Sequence, residues 1–211
     1  MKKPRVTPGE PGAEPMAVPR TTGERTRIRN HPERAVPDET ADILSQGMVA
    51  HVGFIQDKFP VVIPMSYHYS ADRPDRLYLH GSVRSRLLRH LASGAPVCVS
   101  VTLTDGLVYS RKAMNHSMNY RSAVVFGEAR EILDGAEKLA VFDQMVQRYF
   151  PGRIAGRDYH APPAQDLAVT SLIGVTIQDW NGKARRGGPT APEDDDPNAP
   201  GSAGVIDLRE V

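Results

Sequence analysis

The chain has 211 residues, room for one domain with flexible ends, and its 26 lysines and arginines nearly cancel its 25 aspartates and glutamates, leaving a net charge of +1. That balance argues against a general nucleic-acid binder, which carries a basic excess over the whole domain. One cysteine, Cys98, rules out an internal disulfide framework and suits a reducing cytoplasm, and neither a signal-peptide apolar stretch nor the roughly 20 apolar residues of a membrane span is found.

Residues 1–23 are rich in Pro, Gly, Glu and Arg and poor in aliphatic side chains, so burial cannot offset their ordering entropy and a disordered tail is expected. Residues 38–46 read as a short helix, introduced by Pro37 and Asp38 and stopped by Gly47. Two strands, 48–55 and 60–69, flank the hairpin signal Gln56-Asp57-Lys58. Residues 76–80 form a third strand. A helix over 82–91 follows, with Leu87, Leu88 and Leu91 on one face. In 96–103, Val97, Val99, Val101 and Leu103 alternate with Cys98, Ser100 and Thr102, the period of a half-buried strand. Thr104-Asp105-Gly106 is expected to turn the chain into 107–111, and 122–132 is a further strand.

Residues 136–150 make the one long helix, with Leu139, Phe142, Val146 and Tyr149 at helical spacing and Pro151-Gly152 behind them. A last strand covers 169–179. Residues 189–211, with Glu193, Asp194, Asp195 and Asp196 among prolines, read as a flexible C-terminal segment. The domain therefore spans 24–188. Many strands, short turns and few helices predict a mainly β antiparallel barrel or sandwich, because a parallel sheet would need a helix between most strands.

Phosphate-loop, dinucleotide-fingerprint and nucleophile-elbow patterns are missing. The seven histidines lack zinc-site spacing, so no metal is expected, and Cys98, mid-strand among valines, reads as an inert thiol. Three windows carry chemistry. In Leu77-Tyr78-Leu79-His80-Gly81-Ser82-Val83-Arg84-Ser85-Arg86, a strand runs into a glycine and then a helix start. Two hydroxyls and two guanidiniums sit where free amides attract an anion, so the window reads either as a phosphate site or as a serine cap beside solvated arginines. Residues 114–122 bring amides, Tyr120, Arg121 and hydroxyls to a loop before a strand, either a functional loop or an ordinary turn. Trp180, followed by Lys183, Arg185 and Arg186, either covers a planar charged ligand or is a core tryptophan beside a solvated basic stretch.

Together these windows resemble the pyridoxamine 5′-phosphate oxidase-like split-barrel flavoproteins, nearest to their nitroimidazole-reductase-like, flavin-nucleotide-binding branch. The resemblance is carried by Arg29-Asn30-His31-Pro32-Glu33-Arg34-Ala35, Val62-Ile63-Pro64-Met65-Ser66-Tyr67, Tyr78-Leu79-His80-Gly81-Ser82 with Ser85-Arg86, Ser117-Met118-Asn119-Tyr120-Arg121-Ser122, and Lys183 with Arg185-Arg186. It implies a six-stranded antiparallel split barrel, a homodimer with FMN at the interface, and an FMN-dependent oxidoreductase acting on a small molecule. Carried over by position, Pro64, Met65, Ser66 and Tyr67 would edge the flavin ring, and His80, Gly81, Ser82, Ser85 and Arg86, with Arg84, would hold the phosphate. Asn119, Tyr120, Arg121 and Ser122 would lie near the flavin or the dimer contact, and Lys183 and Arg185 would approach from the C-terminal side. His80 and Tyr67 are the candidates for proton transfer. The arginine-rich C-terminal substrate signature of true pyridoxamine-phosphate oxidases is lacking, which speaks against vitamin B6 oxidation. Alternatives on the same scaffold are a haem-binding or haem-degrading protein and a non-catalytic flavin sensor.

Overall fold

The computed structural model describes residues 23–208, so the expected disorder of residues 1–22 lies outside the described residues. Seven antiparallel strands form one sheet: β1 (Val49–Gln56), β2 (Phe59–Tyr69), β3 (Arg76–Ser82), β4 (Pro96–Tyr109), β5 (Ser117–Glu131), β6 (Thr170–Arg185) and β7 (Gly204–Asp207). Their order is β1-β2-β3-β6-β5-β4-β7, and β1 pairs also with β4. The first six strands thus close into a ring, and β7 lies outside it against Gly106–Tyr109 of β4. The strand count is seven, not six.

The β1–β2 hairpin turns where the sequence signals it, with Asp57 and Lys58 both in the left-handed region (φ 51° and 69°), the backbone that matches strand twist across a two-residue loop. Other boundaries differ from expectation. Asp105 and Gly106 do not end a strand: β4 runs through them with a register shift between Thr104 and Gly106, because β5 continues to pair beyond it. For the same reason β5 begins at Ser117 and β6 runs on to Arg185, so partners across the sheet turn an expected loop and an expected tail into strand. The segment expected to be flexible is folded as far as residue 208. Arg111 donates to the carbonyls of Glu193 (3.2 Å), Asp194 (2.8 Å), Asp196 (2.8 Å) and Gly201 (3.3 Å). The Asp194 carboxylate accepts from the amides of Arg111 (2.7 Å) and Ala191 (2.9 Å) and from the Ser110 hydroxyl.

Side chains that point inward along the ring make the core: Val52, Val99, Val101, Ala123, Val125, Leu77, Leu79, Ile173 and Val175. Two short helices close it. From α1 (Thr40–Gln46) come Ile43 and Leu44, and from α2 (Arg86–Ala92) come Leu87, Leu88 and Leu91. The long α3 (Gly135–Tyr149) lies outside the barrel, where Val141 and Met145 pack on Tyr78 and Leu172; a short α4 (Ala164–Ala168) precedes β6. Arg148 fastens α3 to the barrel by donating to the carbonyls of Leu44 (3.0 Å), Ser45 (3.1 Å), Gly47 (2.5 Å) and Tyr67 (3.0 Å). No helix among the described residues is long and apolar enough to cross a membrane.

Candidate functional site

Strand parity sorts the sequence-predicted residues. Cross-strand partners share a face of the sheet, and the inner row Met65–Ala50–Val101–Ala123–Gly182 is fixed by direct pairing. One step along, Pro64, His51, Ser100, Val124 and Asn181 form an outward row. The next outward step holds Ser66 beside Val49, and Ser122 between Thr102 and Lys183. Pro64, Ser66, Ser122 and Lys183 therefore share one belt around the outside of the barrel.

The ring is not paired throughout. Strands β2 and β3 bond only from Tyr67↔Leu79 to Tyr69↔Leu77, whereas β3 stays on β6 as far as Ser82↔Thr170. The barrel splits there, with Pro64, Met65 and Ser66 on one lip and His80, Gly81 and Ser82 on the other. Beyond the second lip the helix starts later than expected. Ser85, not Ser82, is the cap: its hydroxyl accepts from the Leu88 amide at 3.4 Å, while the Ser82 hydroxyl accepts from the Arg84 amide at 3.2 Å. Ser82, Arg84 and Arg86 are exposed, and neither arginine has a carboxylate partner among the described residues.

On the outer side of this lip His80 lines a cavity of about 490 Å³ with Met48, Val49, Ser66, Phe142, Met145, Val146, Tyr149 and Phe150. The Phe142 ring meets the imidazole edge-on at 5.7 Å. His80 Nδ1 is buried without a hydrogen-bond partner among the described residues, and burial pushes the imidazole below its ordinary value of 6.5. A neutral imidazole thus stands in a largely apolar hollow. Sequence reasoning missed this cavity's α3 wall, although the stripe Phe142, Val146, Tyr149 was visible as an apolar helix face.

Four expected residues have other employment. Tyr67 points inward with 0% exposure; its hydroxyl donates to the Leu44 carbonyl at 2.5 Å, and Arg148 sits 4.7 Å over its ring. Burial raises its phenol to about 12, with Arg148 partly opposing, so it is a core tyrosine and holds no proton in reach of a ligand. Arg121 grips Asp105 through two bonds of 2.9 and 2.8 Å and reaches Gln46 at 2.7 Å, an internal clasp between β4, β5 and the end of α1. Arg185 donates to the Asn119 side chain and to the Gly187 and Gly188 carbonyls, so these two residues meet each other in closing the end of β6. Tyr120 pairs with Arg185 across the strands. Trp180 is 5% exposed, 6.4 Å from Tyr69 in the core, which decides for the core reading. Cys98 is half-buried on the outer face, and burial raises its thiol.

A family profile described as pyridoxamine 5′-phosphate oxidase matches residues 37–184. No curated protein is a significant match. Similar solved structures include the FAD and haem binding protein from Mycobacterium smegmatis, at 35% identity and TM-score 0.74, covering 83% of this chain and 84% of that one. The flavocytochrome Anf3 from Azotobacter vinelandii is similar at 32% identity and TM-score 0.77, covering 90% and 87%. A Bacteroides thetaiotaomicron protein named for 5-nitroimidazole antibiotic resistance shares the fold at 23% identity and TM-score 0.55, covering 74% and 85%.

Proposed function

The chain belongs to the pyridoxamine 5′-phosphate oxidase family, and from that membership we propose that it is a flavin-binding oxidoreductase acting on a small molecule, with the flavin, as FMN or a larger nucleotide containing it, seated across the split between β2 and β3. The observation that carries this is the split itself. Its lips present Pro64, Met65 and Ser66 against His80, Gly81 and Ser82, next to the exposed Arg84 and Arg86, which have no carboxylate partner among the described residues. A flavin bound there supplies the redox chemistry. The chain's residues do the rest. Backbone groups along the lips, with the Ser66 hydroxyl, orient the ring edge; Ser82, Ser85, Arg84 and Arg86 receive the phosphate; Lys183 and Ser122 stand on the same outer belt. His80, neutral in its hollow, is placed to exchange a proton with a molecule in the adjoining cavity.

The outer face also bears exposed Val49, Ile55 and Val62, a run of apolar surface that a second copy would cover, so the working form is a homodimer in the cytoplasm with the flavin between protomers. Purification of the full chain should give a yellow protein with a flavin spectrum, sedimenting as a dimer. A colourless monomer that takes up no added FMN or FAD would sink the reading.

A second reading has its own observation: the His80 imidazole, with no hydrogen-bond partner among the described residues, lines a largely apolar hollow and would suit a ligand to haem iron, and two relatives carry haem or flavocytochrome in their names. On this reading the hollow between α3 and the barrel holds haem beside the flavin. Haem titration of the full chain should give a Soret band that His80→Ala abolishes; no Soret band in the unaltered chain removes haem and leaves the flavin reading standing.

A further inference from the structure

Helix α3 borders two hollows on the outside of the barrel. Its Phe142, Met145, Val146 and Tyr149 line the largely apolar one at His80. The adjacent stripe, Asp143, Gln144, Gln147 and Arg148, lines a second cavity of about 500 Å³, whose other walls are the end of β2 and residues 70–73. Residues three and four apart share a helix face, so one helix walls an apolar pocket and a polar one.

His68 lines the polar cavity from the barrel side. Tyr67 and Tyr69 point into the core, so strand parity turns His68 outward beneath α3, with its ring 6.1 Å from that of Tyr78. It is 3% exposed, and neither ring nitrogen has a hydrogen-bond partner among the described residues. Burial first, and then the Arg148 charge, hold the imidazole below its ordinary value of 6.5, with the Gln144 side chain partly opposing. A neutral ring with one donor and one acceptor thus borders the cavity, and leaving both unpaired is costly.

Charge is unevenly placed across the same space. The hydrogen bonds of the half-buried Arg148 run to carbonyl oxygens, so its charge meets no carboxylate among the described residues. Asp72 and Asp143 are exposed on the rim. They accept from the hydroxyls of Ser70 (3.5 Å) and Tyr159 (3.0 Å), groups that neutralise no charge, whereas the Arg73 guanidinium stands 3.7 Å from Asp75. A cation without a counter-ion lies within, and two carboxylates lie at the mouth.

We propose that the cavity between α3 and residues 70–73 binds a small zwitterion, an α-amino acid, with its carboxylate on Arg148 and His68 and its ammonium between Asp72 and Asp143. Each contact is a charge-assisted hydrogen bond, the kind that holds a small polar molecule. The site is separate from the split between β2 and β3 and does not depend on the flavin reading.

Imidazole resonances test it. The full-length protein, isotope-labelled at histidine, is titrated with L-alanine, L-serine and L-glutamine, and in parallel with propionate and ethylamine, which carry one charge each. His68→Phe and His80→Gln assign the signals. At least one amino acid should shift the His68 signals and bind about tenfold or more tightly than either single-charge analogue. His68→Phe should weaken that binding about tenfold in calorimetry. Joint Asp72→Asn and Asp143→Asn should bring the amino acid down to the level of propionate; both positions are exposed, so this variant keeps the test open should His68→Phe not fold. Propionate binding as tightly as every amino acid overturns the inference in favour of a plain anion site. Shifts at His80 in place of His68 put the ligand in the apolar cavity and overturn it too, as does binding of none of the five probes.

Discussion

The inner and outer faces of the same strands make two different proteins. Inward, Leu79, Tyr67, Val101 and Ala123 are buried, and the one polar side-chain atom among them, the Tyr67 hydroxyl, is spent on the Leu44 carbonyl. Outward, one residue away in each strand, His80, Ser66, Thr102 and Ser122 carry polar atoms with few protein partners, and exposed apolar side chains lie among them. In a sheet, neighbouring residues in sequence belong to opposite environments, so a motif of consecutive residues such as Pro64-Met65-Ser66-Tyr67 cannot act as one unit. Half of it builds the wall and half of it faces outward.

The sharpest test of that division sets Leu79→Ala against His80→Ala. The first should cost about 2–5 kcal/mol in urea unfolding, through a cavity in the barrel, and the second under about 1 kcal/mol; similar costs would break the distinction. Arg148→Met comes next. With the carbonyls of Leu44, Ser45, Gly47 and Tyr67 deprived of their donor, stability should fall by about 2 kcal/mol, and the His80 cavity should loosen because α3 supplies its outer wall. Joint replacement of Arg84 and Arg86 by alanine should leave unfolding within about 0.5 kcal/mol and weaken flavin binding about tenfold, read by fluorescence titration; unaltered affinity would move the phosphate elsewhere.

The smallest effect is a pH dependence. Burial holds His80 below 6.5 in the folded chain, so near and below that pH the unfolded chain binds the proton more readily. Stability should be level above pH 6.5 and decline as the pH falls below it. His80→Gln should flatten that decline, though not abolish it, since burial lowers His68 as well. A variant whose stability falls as steeply as the parent's would show that His80 is not desolvated.

How much of this could be read beforehand differs from element to element. The hairpin at Asp57-Lys58, the long helix 135–149 and the alternation of 96–103 were legible, because each depends on neighbours within a few residues. The hydroxyls and guanidiniums at Ser82–Arg86 were legible as a cluster of types, though not the true helix cap at Ser85. Arg121 and Arg185 looked like ligand-binding cations because sequence shows a charge and not its partner. Asp105 lies 16 residues from Arg121 and Asn119 lies 66 residues from Arg185. Likewise the acidic run 193–196 read as solvated, since nothing near it revealed that Arg111 and the Ser110–Arg111 backbone would gather it in.

What the sequence determined by itself is the local backbone: period-two strands, turn chemistry, one amphipathic helix, and through these a mainly β antiparallel class. Tertiary structure alone decided that β3 leaves β2 after Leu79 while staying on β6, that β4 runs unbroken through Asp105 and Gly106, and that β7 joins its edge. The physical reason is that the alternation of a strand marks two faces without saying which is inside or which strand lies alongside. Both are settled only when the whole ring closes and the inward set of every strand has to fill one common core.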